Sequence, residues 1–88
     1  MILHTVNKPC QLGLALRLAS DGDCLLLIED GVYAAMSLTS HTGSRLYVLA
    51  EDAEARAIEQ HIPAAIARLD YRGFVELACR ADIVNSWF

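Results

Sequence analysis

The chain has 88 residues, of which 55% are hydrophobic and 20% charged, and a net charge of -4. That length holds a single domain, residues 1–88, with a thin core and no room for a second one. The negative balance repels phosphate backbones, which argues against direct nucleic-acid binding, and the apolar surplus exceeds what so small a body can hide, so a partner chain is expected.

Met1 to Val6 is an apolar, partly β-branched hexamer stopped by Asn7-Lys8-Pro9, and it reads as a first buried strand. Between Gln11 and Ser20 the leucines alternate as in a strand. The segment nonetheless consists of good helix formers without a β-branched residue and ends at Asp21-Gly22, which predicts a helix. Asp23 to Glu29 holds a continuous apolar run, the form of a strand covered on both faces in a parallel sheet. Asp30-Gly31 then opens a short helical segment over Val32 to Met36, and Ser37 to Ser44 reads as a polar surface loop containing His41.

Arg45 to Ala50 is the next predicted strand. A helix is predicted from about Asp52 to Gln60, its first turn crowded by Glu51, Asp52 and Glu54 at the positive end of the helix dipole. Pro63 to Leu69 reads locally as a helix with proline at its first position, yet the β-α alternation asks for a strand near Ile66 to Asp70. Tyr71 to Ala81 has helical spacing. The tail, Ile83-Val84 and Trp87-Phe88, fits an edge strand or a docking segment. Alternation of this kind implies an α/β fold: a mostly parallel sheet of four or five strands, layered between helices, with its sites at the carboxyl ends of the strands.

That edge would gather Lys8 and Cys10 after the first strand, Asp30 and Tyr33 after the second, Glu51 and Asp52 after the third, and Asp70 after the fourth. No glycine-rich phosphate cradle follows any strand, so no nucleotide cofactor, and indeed no cofactor of any kind, is expected. His4, His41 and His61 lack metal-ligand spacing, and His4 inside a strand is read as a hydrogen-bonded core residue; no metal is expected. Asp30 with Glu51 or Asp52 could form an acid pair, but capping and dipole roles account for all three.

The three cysteines have no C-x-x-C spacing and are expected to be reduced. Cys24, in the buried strand, and Cys79, on the apolar side of the last helix, read as small hydrophobes. Cys10, beside Lys8, is either a surface thiol without a role or a sulfur acceptor. In the first helix Leu12, Leu14, Ala15, Leu16, Leu18 and Ala19 cover an arc of about 200°, whereas facing one core takes only a little over 100°. Leu14 and Leu18 are therefore expected to face a second body, as are Trp87 and Phe88. The longest aliphatic stretch, Cys24 to Ile28, is far short of a membrane span. Lys8 lies behind the apolar N-terminal residues, the reverse of a secretory signal, and the expected location is cytoplasmic.

Leu3-His4-Thr5-Val6-Asn7-Lys8, Ser20-Asp21-Gly22 before Leu25-Leu26-Leu27, Glu29-Asp30-Gly31-Val32-Tyr33-Ala34-Ala35, Tyr47-Val48-Leu49 leading to Glu51-Asp52 and Ala55-Arg56, Asp70-Tyr71 with Phe74-Val75, and the late Trp87 together resemble the DsrH/TusB family from end to end. The resemblance implies a small Rossmann-like subunit of a sulfur-relay complex, associated with DsrE/TusD-like and DsrF/TusC-like subunits in a hetero-oligomer. Self-association is left open for the isolated chain. Such assemblies pass persulfide sulfur between cysteines, toward tRNA 2-thiouridine or in dissimilatory sulfur oxidation. The resemblance also makes Ile66 to Leu69 a strand. Some members carry a cysteine in the first helix where Ala15 stands here, so the acceptor role transfers to no residue, and a non-catalytic subunit is the reading that follows. The alternative is a persulfide carrier acting through Cys10.

Overall fold

The computed structural model describes residues 1–38 and 45–88. Five strands, β1 (Ile2–Val6), β2 (Cys24–Leu27), β3 (Arg45–Leu49), β4 (Ala67–Leu69) and β5 (Ile83–Trp87), form one sheet in the order β4-β3-β2-β1-β5. Every neighbouring pair is parallel. The helices are α1 (Leu12–Leu18), α2 (Ala50–Ala55) and α3 (Tyr71–Arg80), joined by 3₁₀ segments at Pro9–Gln11, Glu29–Ser37 and Glu59–His61.

The sheet separates two apolar layers. Val6, Leu25, Leu27, Leu46 and Val48 point to one face, where Leu12 and Ala15 of α1, Val32 and Ala35 of the long 3₁₀ segment, Ala53 of α2 and Ile58, Ile62 and Ile66 cover them. Leu3, Cys24, Leu26 and Leu49 point to the other, which α3 covers through Leu77, Phe74 and Ala78, with Met1, Ile28 and Ala81 beside them. Strand β2 has β1 on one side and β3 on the other, and all four of its residues are buried, which is why its sequence is a continuous apolar run.

The expected α/β sheet is present, and the tail supplies its fifth strand. Helix α2 is shorter than the Asp52–Gln60 reading. Ala57 takes a left-handed backbone (φ 53), with its N–H bonded to the Glu54 carbonyl and the Ile58 N–H to that of Ala53. This pair of bonds ends a helix and turns Ile58 into the core; glycine usually occupies the left-handed position, and an alanine there carries no stop signal. The stretch that follows is pinned by Arg68, whose guanidinium donates to the carbonyls of Glu59 (3.3 Å), Ile62 (2.8 Å), Pro63 (2.9 Å) and Ile66 (2.6 Å). Holding those four carbonyls in a non-helical path lets Ala67–Leu69 pair with β3 as a strand.

Candidate functional site

Lys8, Asp30, Tyr33 and Asp70 follow the carboxyl ends of three different strands. Lys8 precedes the first 3₁₀ turn after β1, Asp30 and Tyr33 lie on the 3₁₀ segment after β2, and Asp70 stands between β4 and α3. Three of the acids at this edge are occupied with the backbone and one with an arginine. Asp70 Oδ1 accepts the Gly73 N–H at 2.7 Å and caps α3. Asp52 Oδ2 accepts the N–H of Glu29 at 2.6 Å, holding that residue in its left-handed conformation (φ 50). Glu51 Oε2 accepts the Tyr71 N–H at 3.1 Å, and Asp30 Oδ1 takes the Arg56 Nε–H at 3.0 Å. Asp30 is thus paired with an arginine, and the carboxylates tie the three segments after β2, β3 and β4 to one another. Asn7 Oδ1 and Glu51 Oε1 are buried acceptors at this edge without a hydrogen-bond partner among the described residues.

Gly31 sets how closely the segment after β2 approaches the end of β1. Its N–H bonds the Ile28 carbonyl, the Ile28 N–H bonds the Val6 carbonyl, and a Cβ on Gly31 would collide with that same Val6 carbonyl. Only glycine fits there.

Of the thiols, Cys10 is exposed on the Pro9–Gln11 turn and Cys24 is buried. Burial pushes the Cys24 thiol up from its ordinary value. Cys79 is exposed, not packed as its helical position suggested: α3 rests on the sheet through Phe74, Leu77 and Ala78, and Cys79 falls just outside that stripe. His61 ends the Glu59–His61 turn, and His41 lies outside the described residues. Among the described residues no group of His, Cys, Asp and Glu could hold a metal ion, and no helix is long and apolar enough to cross a membrane.

The residues set aside for a partner divide. Leu14 is 39% and Leu18 62% exposed on the outer side of α1, and Phe88 is 74% exposed, its carbonyl held by the Gln11 amide at 2.8 Å. Trp87 instead turns inward against the α1 layer. Its Nε1–H donates to His4 Nδ1 at 3.1 Å, and His4 Nε2 lies 3.3 Å from Asp23 Oδ2. Because Nδ1 accepts, Nε2 carries the proton and donates to Asp23. Asp23 also accepts the N–H groups of Ile2 and Ser20, both at 3.0 Å. These backbone donors, and then His4, hold its carboxyl below the usual carboxylate range despite burial. Sequence reasoning found His4 but neither of its partners, since the β1–β5 pairing that delivers Trp87 spans nearly the whole chain.

A family model described as "DsrH like protein" matches residues 7–84. The chain belongs to the DsrH family. Among its relatives, Protein TusB of Serratia proteamaculans is 35% identical, that of Erwinia tasmaniensis 36% and that of Escherichia coli O81 35%, each alignment covering 98% of this chain and the whole of the relative. The DsrH match takes in the Asn7–Lys8 edge, the Gly31 approach and the Asp70 cap; the TusB alignments extend over nearly all of the rest.

Proposed function

We propose that this protein is an accessory, non-catalytic subunit of a sulfur-relay complex of the kind serving tRNA 2-thiouridine formation or dissimilatory sulfur oxidation. The observation that carries the reading is the end-to-end match to the DsrH and TusB proteins. Its partners are DsrE/TusD-like and DsrF/TusC-like subunits in a cytoplasmic hetero-oligomer. Leu14, Leu18 and Phe88 are the apolar side chains offered to them, since each stands in water on the isolated domain. Lys8, Asp30, Tyr33 and Asp70 serve as the loop-bearing edge that the assembly meets, with the carboxylates of Asp30, Glu51 and Asp52 keeping the loops in one arrangement.

Chemistry in such a relay needs a thiol that accepts and gives up sulfane sulfur. Ala15, buried against the sheet, supplies none, and Cys24 is sealed in the core. The exposure of Cys10 favours one second reading, a carrier in its own right. Co-purification from the native cell with mass spectrometry of the accompanying chains tests the assignment: sulfur-relay subunits should travel with this one, and a chain that purifies alone would overturn it. Loading with a persulfide donor followed by alkylation separates the two readings, because a carrier gains sulfur on Cys10.

A further inference from the structure

We propose that His4 makes the seating of β5 sensitive to pH: with Nδ1 bare the Trp87 indole docks on it, and with Nδ1 protonated the indole is released. Trp87 Nε1–H is a donor without acceptor capacity, and the atom it meets is the imidazole Nδ1, 3.1 Å away. The other ring nitrogen already donates to Asp23, so a second proton has only Nδ1 to occupy. Two N–H groups would then face each other in a site where His4 is 4% exposed.

The strand is poised for this. Ile83 to Ser86 are all exposed, and Trp87 is the residue of β5 that packs against a core cluster. Beside the pairing with β1, that end is tied by a long Asn7 N–H bond to the Trp87 carbonyl at 3.4 Å, the Thr5 Oγ1 bond to Ser86 Oγ at 3.1 Å and the Gln11 amide bond to the Phe88 carbonyl at 2.8 Å. The rings lie 6.1 Å apart and tilted by 35°, so the indole does not stack on the imidazole and the hydrogen bond sets their relation.

The charged group facing His4 is the Asp23 carboxylate, from the turn before β2, which attracts a proton to the ring. The Met1 ammonium, itself paired with Asp82, acts on Asp23 from beyond it. From β5 the register partner is Asn85, uncharged. Helix α1 turns Leu12, Ala15, Leu16 and Ala19 to this layer while its Arg17 is exposed. Asp23 thus accepts from one ring nitrogen while Trp87 requires the other to be bare, two different demands on one side chain.

Trp87 is the sole tryptophan, so its emission reports the site without labelling. The full chain is followed from pH 8 to pH 5 by fluorescence and by the NMR signals of the indole N–H and the His4 ring nitrogens. The expected result is a red shift of emission and faster solvent exchange of the indole N–H, sharing one midpoint with the His4 signals while far-UV circular dichroism stays unchanged. His4→Gln, whose amide can accept from Trp87 and donate to Asp23 without titrating, should abolish the shift. An emission spectrum that does not move, a transition that persists in His4→Gln, a midpoint different from that of His4, or loss of helical signal over the same range would each overturn the proposal. If His4→Gln does not fold, the shared midpoint in the unaltered chain decides.

Discussion

Gly31 lies so near Val6 that the carbonyl oxygen ending β1 occupies the space a β-carbon on residue 31 would need. The same oxygen accepts the Ile28 N–H at 3.0 Å, so it cannot retreat without breaking the link between β1 and the segment after β2. Gly31→Ala should destabilise the domain by about 1–3 kcal/mol, the usual cost of overpacking, or more because the obstacle is backbone. Chemical denaturation checks this, and a midpoint equal to that of the parent would refute the steric argument.

Asp23 gives stability a pH dependence of definite sign. Its folded-state carboxyl is held below the ordinary value of about 4, so its contribution is complete above that pH and drains away as the pH falls through the lower folded value. Asp23→Asn should lose about 1.5–3 kcal/mol at neutral pH, the range for hydrogen bonds to a charged group. It should also flatten the acid side of the stability profile below about pH 4, measured by denaturation at a series of pH values.

Leu14 and Leu18 project into water from α1, so exchanging both for glutamate should leave the melting transition of the isolated chain nearly unchanged while weakening association. Light scattering and co-purification read the second effect. A large drop in melting temperature would show that these side chains support the fold.

The thiols should separate by accessibility. Iodoacetamide under native conditions should modify Cys10 and Cys79, and reach Cys24 only on unfolding. Cys10→Ser should leave sulfur transfer by the assembled complex nearly intact. A loss of about a hundredfold, equivalent to about 2.7 kcal/mol of barrier, would make Cys10 the carrier.

Deleting Ser86 to Phe88 removes the Trp87 packing, the Thr5–Ser86 bond and the last two pairs of the β1–β5 ladder. The expected cost is about 3 kcal/mol, toward the lower end for a buried aromatic because Trp87 is only partly covered. A truncated chain that melts and assembles like the full one would show the tail to be dispensable.

Local chemistry made much of this fold legible. The apolar run of β2, the helical spacing of Tyr71 to Ala81 and the proline after β1 each state their own outcome. Where two local signals competed, as in Pro63 to Leu69, the outcome depended on Arg68 collecting carbonyls from a neighbouring loop, which no window of sequence displays. The end of α2 was hidden because an alanine holds the left-handed position at residue 57. At the strand ends, the β-α alternation assigns Lys8, Asp30, Tyr33 and Asp70 to one edge, but the binding of the acids to particular N–H groups is a tertiary fact. Asp23 reads in the sequence only as the start of the second strand, and the sheet sets it beside His4.

The pairing of β1 with β5 has a consequence for how the domain is made. The first strand can join β2 soon after emergence, but its other side stays open until the chain has been synthesised through Trp87. A growing chain therefore exposes the backbone edge of its most apolar strands for nearly its whole synthesis, the circumstance that invites mispairing with other nascent chains. Contacts that distant in sequence also make closure of the sheet slow. Expression that supplies partner chains together with this one should raise its soluble yield more than lowering its own rate of synthesis does.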